Sequence, residues 1–269
     1  MTRGLIAFLT AFFLTLTFFY GPSFAQNRVD ITPRRVILEP RERAGEFTLL
    51  NLSQEPGTYK IEIVHNRQDD RGTYTKLDGP LNPVFDPATI LRLSPRQFTL
   101  PPEGRQKVRF SIRKPADLPD GEYRFHIQTT RMAEFGPPEQ ADKGSKVGMT
   151  MNIGTSIPII VRHGNVEAGA SLSDLQLIES NAEGKPELHF TIHRSGNAST
   201  IGTALIFWTP QGGADTKIGH LSNLNVFTEN SKRFVIAPLS AQPQGPGTLR
   251  VVYQNDVTKN DYAEATLQR

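Results

Sequence analysis

Two histidines, His189 and His193, stand four residues apart in ELHFTIHR, and two acids, Asp69 and Asp70, stand together in NRQDDRG. Imidazoles suit zinc and carboxylates suit calcium, so both spacings raise a metal question. ELHFTIHR alternates as a strand does, and positions four apart on a strand are about 13 Å from one another. That is too far to share one ion, and the pair reads as solvent-facing. A calcium site takes roughly six to eight oxygen ligands at defined spacing, so the acidic pair reads as a solvated hairpin tip. GxSxG, HExxH, the phosphate loop and the dinucleotide glycine pattern are all absent. There is no cysteine, which excludes thiol catalysis and cysteine-held metals. No metal, no cofactor and no catalytic constellation is expected.

Binding chemistry is better supplied. Arg34 and Arg35 open an early strand, and Arg162 closes a later one. Arginine offers a rigid fork of donors that matches a carboxylate, although charges at strand ends are commonly plain surface groups. The later strand is the unusual element. In GMTMNIGTSIPIIV, residues 148–161, the odd positions Met149, Met151, Ile153, Ile157, Ile159 and Val161 are apolar and only Thr155 interrupts them. The run follows RMAEFGPPEQADKGSK, residues 131–146, which is long for a hairpin loop; such loops are usually functional or mobile. Methionine adapts to varied pockets, so its use at two positions suits a strand that meets a partner.

The elements that must carry these residues are strands. Tyr59, Ile61 and Ile63 alternate in TYKIEIV, Val108, Phe110 and Ile112 in KVRFSI, and Tyr123, Phe125 and Ile127 in EYRFHIQ. A period of two puts one face on a core and the other in water. The 22 glycines and 20 prolines punctuate these runs, and no amphipathic helix is evident. The pattern predicts an all-β protein of two tandem immunoglobulin-like β-sandwich domains. LPDGEYRFHI matches a tyrosine corner, whose phenol bonds back to the turn before it. The expected division is residues 1–25 as a signal peptide, 26–164 as a first domain carrying the long strand, and 165–269 as a second, with NVEAGA (165–170) as the connection.

Residues 1–25 have a positive start at Arg3, an apolar run over residues 5–20, and Ser23-Phe24-Ala25 as a cleavage site. That run is short for a membrane span of ~20 residues, so cleavage and export are expected, with no span in the mature chain. The whole chain has 30 basic and 27 acidic residues; without Arg3 the count is 29 against 27, or +2. This small excess argues for no nucleic-acid partner.

In order, RRVILEP, FTLLNLS, ILRLSPRQFTLPPEGRQKVRFSI, LPDGEYRFHI and MTMNIGTSIPIIVRHG resemble the periplasmic pilus-assembly chaperones of the PapD-like family, over roughly residues 29–163. The second domain is only loosely similar. The resemblance implies a boomerang of two immunoglobulin-like domains with a cleft between them. It implies a periplasmic chaperone that lends its long strand to complete an unfinished pilus or fimbrial subunit, by strand addition, and delivers the subunit to an outer-membrane usher. Met149, Met151 and Ile153 would enter the subunit, while Ile157, Ile159 and Val161 would stay in the chaperone's own core. The family anchors the subunit's C-terminal carboxylate with two basic residues. Arg35 matches the first, with Arg34 as the register-shifted alternative. The second aligns with Pro158, which carries no charge and no N–H; Arg162 or Arg109 could substitute. This departure, and the lack of a tryptophan in TYKIEIV, suggest a divergent branch near the archaic type of chaperone–usher system. An exposed edge would also allow free copies to pair. A structural or adhesive exported protein is the alternative; an envelope-acting enzyme would need paired carboxylates that nothing in the sequence indicates.

Overall fold

The structure, a computed structural model, describes residues 29–132 and 154–269. Among these residues a first set of strands runs β1 (Val29–Thr32), β2 (Val36–Leu38), β3 (Ala44–Asn51), β4 (Gly57–Gln68), β5 (Tyr74–Leu77), β6 (Leu91–Ser94), β7 (Gln97–Leu100), β8 (Arg105–Ile112), β9 (Gly121–Arg131) and β10 (Gly154–His163). A single helical turn, α1 (Pro87–Ile90), precedes β6. A second set runs β11 (Ala168–Ile178), β12 (Glu187–Gly196), β13 (Thr200–Pro210), β14 (Thr216–Val226), β15 (Lys232–Pro238), β16 (Gly247–Asn255) and β17 (Asp261–Gln268).

Each set forms a sandwich. In the first, the sheet β1-β3-β8-β6 faces the sheet β2-β10-β9-β4-β5, with β7 also on β4. The inward positions of the alternating runs fill the space between them: Phe47, Val108, Phe110, Phe125, Ile127 and Ile159 are all buried. In the second, β11-β12-β15 faces β14-β13-β16-β17 around Phe190, Ile206, Val251 and Tyr253. The chain is all-β, in two β-sandwiches. The tyrosine corner is present: Tyr123 Oη donates to Pro119 O at 2.8 Å. The connection between the sandwiches is shorter than the sequence pattern indicates, because β11 begins at Ala168 and takes up the end of NVEAGA.

One crossing between the sheets decides what flanks β10. β1 pairs with β3 in one sheet, and β2 pairs in parallel with β10 in the other. The switch falls at Pro33-Arg34-Arg35. A proline has no N–H to continue β1's ladder, so the chain leaves one sheet there and joins the next three residues later.

The sandwiches are joined by side chains and by a hairpin. Asp69 Oδ1 accepts from Arg71 N and Thr73 N at 2.9 and 2.8 Å and so shapes the β4–β5 turn. The tip is not simply solvated, as its acidic sequence suggests. Asp70 O accepts from Phe234 N on β15 at 2.7 Å, and Gln68 O from Asn230 Nδ2 at 2.8 Å. Gly72 has φ +87°, and a Cβ there would lie 2.4 Å from Arg233 Nη2, so only glycine lets the tip settle so closely. Beside it Arg124 pairs with Glu229, and its guanidinium carbon lies 4.0 Å from the centre of the Phe227 ring. Ser199 Oγ donates to the buried Glu122 carboxylate. Ile160 and Ile37 of the first sandwich pack on Ile201 and Phe227 of the second.

Candidate strand-addition edge and inter-sandwich cleft

β10 is flanked unequally. Along its whole length it pairs with β9, from Gly154↔Thr130 to His163↔Gly121. On its other side β2 begins only at Ile159↔Val36 and covers three positions. Among the described residues, Gly154–Pro158 therefore pair with β9 alone and present an open edge. The cause is the crossing at Pro33, which delivers β2 too late to cover that half.

Pro158 fits this edge. It stands opposite His126, and a proline is tolerated in a sheet where its nitrogen faces no ladder partner. Its nitrogen therefore faces the open side. Main-chain groups two residues apart point the same way, so the N–H and C=O of Ser156 and Gly154 face that side as well. The edge offers both donors and acceptors at Gly154 and Ser156, and an acceptor alone at Pro158. Ile157, Ile159 and Val161 are 3%, 0% and 0% exposed, inside their own sandwich. Met149, Met151 and Ile153, assigned to the partner by resemblance, lie outside the described residues, as do residues 1–28 and most of the long loop.

The open edge borders a cleft of about 510 Å³ between the sandwiches, lined among others by Arg34, Arg35, Tyr74, Pro158, Asn223 and Phe227. The arginines differ in state. Arg35 is spent on the second sandwich: it pairs with Asp256 at 3.0 Å and donates to Asn225 Oδ1 and Asn223 Oδ1 at 3.1 Å each. Arg34 lines the same cleft, is exposed, and makes no hydrogen bond or ion pair among the described residues. Arg162 is not among the residues lining the cleft; it pairs with Glu39 at 3.0 Å and Glu122 at 3.3 Å. Arg109 lies on the outer face of the first sandwich, 3.6 Å from Glu46. The structure thus brings Arg34, Arg35 and Pro158 together and leaves Arg162 and Arg109 elsewhere.

The far wall escapes sequence reading. Asn223, Asn225 and Asp256 are about 190 to 220 positions from Arg35, in polar segments with no motif. The one available signal is that HLSNLNV carries two asparagines in a strand, where asparagine is disfavoured; Asn223 indeed takes φ +59° at a register shift in β14.

His126 lies beneath the cleft, its ring edge-on to Tyr74 at 5.5 Å. Burial, reinforced by Arg124 and His65, pushes its pKa down to about 3. Arg124 Nη1 lies 3.2 Å from its Nε2, and a guanidinium only donates, so the imidazole must accept and stay neutral. A depressed folded-state value means stability that is complete above the ordinary histidine pKa of 6.5 and lost as pH falls towards 3. The expected slope reaches about 1.4 kcal/mol per pH unit. Unfolding free energies measured across that window should show it, and His126→Gln should flatten it.

The histidines and acids first considered for metals are engaged locally. His189 Nε2 lies 2.6 Å from Glu187 Oε1, and His193 Nε2 lies 2.7 Å from Ser173 Oγ. No group of three or more potential metal ligands occurs among the described residues. No helix among them is long and apolar enough to cross a membrane.

No family model matches the sequence, and no curated protein matches it. Solved structures are similar in fold. The class 5 fimbriae chaperone CfaA is 13% identical with a TM-score of 0.46, over 90% of this chain and 99% of that one. The Escherichia coli chaperone DraB is 14% identical, TM-score 0.43, over 90% and 95%. The CsuC–CsuE chaperone–tip adhesion subunit complex from archaic chaperone-usher Csu pili of Acinetobacter baumannii is 13% identical, TM-score 0.43, over 90% and 97%.

Proposed function

We propose that this chain is a periplasmic chaperone of the PapD-like kind, which holds an incomplete fimbrial subunit by adding β10 to the subunit's sheet and passes it to an outer-membrane usher. The observation that carries this reading is the open edge of Gly154–Pro158. It sits on a strand whose apolar alternation continues upstream through Ile153, Met151 and Met149. Strand addition takes affinity from main-chain bonds and specificity from alternate side chains. The edge supplies the first, and the upstream residues would supply the second. Cleavage of residues 1–25 and export belong to the same proposal.

On this reading the subunit's terminal carboxylate meets Arg34. Arg35 aligns best with the family's anchor, but its guanidinium is already taken by Asp256 and two asparagines. Arg34 brings an unspent fork of donors to the same cleft. Charge-assisted hydrogen bonds are about twice as strong as neutral ones, so Arg34→Ala should weaken capture of a fimbrial subunit by roughly 10-fold. Arg35→Ala should act mainly on thermal stability, through the lost contact between sandwiches. Capture titrations with both variants, using subunits with a free or an amidated C-terminus, separate the roles. Weakening by Arg35→Ala alone would return the anchor to that residue.

Amide hydrogen exchange tests the strand addition itself. On mixing with a fimbrial subunit that lacks its last strand, the amides of Gly154 and Ser156 should become strongly protected, while those of β17 stay unchanged. A complex that leaves both edge amides exchanging as in the free protein would rule this mode out.

A further inference from the structure

The first sandwich turns a second surface to solvent, with a different chemistry. In RQKVRFSIR, Val108, Phe110 and Ile112 point into the core and are 0–3% exposed. The intervening positions point out, and Arg105, Lys107, Arg109 and Arg113 are all exposed. On the neighbouring strand, Arg92 stands opposite Ser111 and is also exposed. Outward positions repeat every ~6.8 Å along a strand, so the cations form a stripe of roughly 27 Å beside a fifth charge. On β3, β8 and β6 the outward acid facing them is Glu46, which pairs with Lys107 at 2.8 Å and Arg109 at 3.6 Å. Asp30 lies one strand further out, on β1. Arg92, Arg105 and Arg113 make no ion pair among the described residues.

We infer that this face is an electrostatic docking surface for anionic, phosphate-bearing lipid headgroups at a membrane surface. Five cations on one sheet face against two acids, Glu46 and Asp30, is charge complementarity of the kind that draws a protein to such a surface. The remaining outward residues on these strands are Ala44, Thr48, Leu50, Ser94 and Ser111. None is aromatic, so nothing is there to stack on bases, as single-stranded nucleic acid requires. None is a large exposed apolar anchor of the kind that dominates specific protein interfaces. A broad, multivalent, mainly charged and polar face suits a dense array of laterally mobile phosphates. The stripe lies on the sheet opposite β10, so lipid docking and the open edge use different sheets of the first sandwich.

The test is sedimentation of the full chain with mixed phosphatidylcholine–phosphatidylglycerol vesicles and with pure phosphatidylcholine vesicles, at low and high salt. Binding is expected to the mixed vesicles only and to fall steeply with salt. The triple variant Arg105→Gln, Lys107→Gln, Arg109→Gln should lose on the order of 100-fold in partitioning, with an unchanged melting temperature because all three side chains are exposed. The control variant Lys185→Gln, Lys217→Gln, Lys259→Gln, of the same net charge, should bind as the wild type does. Equal losses in the two variants would reduce the effect to net charge and overturn the inference. So would equal binding to both vesicle types, or retention on an immobilised acidic protein without vesicle binding.

Discussion

Arg124→Ala is expected to lower the unfolding free energy by about 3–5 kcal/mol, because it strands a buried carboxylate. The Arg124 and Glu229 side chains are 2% and 10% exposed. Without the guanidinium, Glu229 keeps one described donor, Gln68 N at 3.1 Å. Arg124 also donates to Asn66 O at 3.1 Å and lies against Phe227, so its removal opens a gap between the sandwiches as well. Against a total stability of roughly 5–15 kcal/mol this is a large fraction. Urea unfolding should show a lower midpoint and a single transition splitting into two, as the sandwiches lose their coupling. Arg124→Lys should recover only part of the loss, since an ammonium lacks the planar fork. A variant that unfolds like the wild type would show that the other contacts, the hairpin tip, the Arg35–Asp256 pair and the cluster around Ile160, hold the sandwiches together without it.

Met151→Asp should abolish subunit capture while leaving the melting temperature near its original value. If the strand-lending proposal holds, residue 151 enters an apolar groove of the subunit. Burying an unpaired carboxylate there costs several kcal/mol, equivalent to a loss of at least about 100-fold in affinity. Ile157, Ile159 and Val161 belong to the core of the first sandwich, which the substitution leaves untouched. A tagged fimbrial subunit and a pull-down suffice to read the effect. Undiminished capture would remove strand lending as the mode of binding.

Period-two alternation locates the strands because a half-buried strand must alternate. It assigns the inward faces of β8 and β10 correctly, down to Ile157, Ile159 and Val161. It fails where a second layer covers the outer face. In EYRFHIQ the alternation assigns Glu122, Arg124 and His126 to water, yet they are 7%, 6% and 3% exposed. The second sandwich lies on them, and its contacts come from Ser199, Phe227 and Glu229, 77 to 105 positions further on. No local pattern encodes that distance. The same limit applies to the cleft. Two arginines and a proline were legible as an unusual pair and an unusual break, but which arginine is already spent depends on Asn223, Asn225 and Asp256, which carry no motif. A trace of the second layer is nevertheless written in the chain: Ile160 occupies an outward position with an apolar side chain, and it meets Ile201 and Phe227.

The unequal flanking of β10 has a mechanical consequence. Its open half and its doubly paired half are one continuous strand, with β9 alongside throughout and β2 alongside the far end. A tug on the open half, directed along the strand, loads the bonds to β9 and β2 together, in shear. They share the load instead of parting one after another, as they would if the strand were peeled away sideways. A partner that pulls along β10 therefore meets its greatest resistance, and one that twists or lifts the strand edge meets much less. Release by rotation is the low-force route that this architecture leaves open.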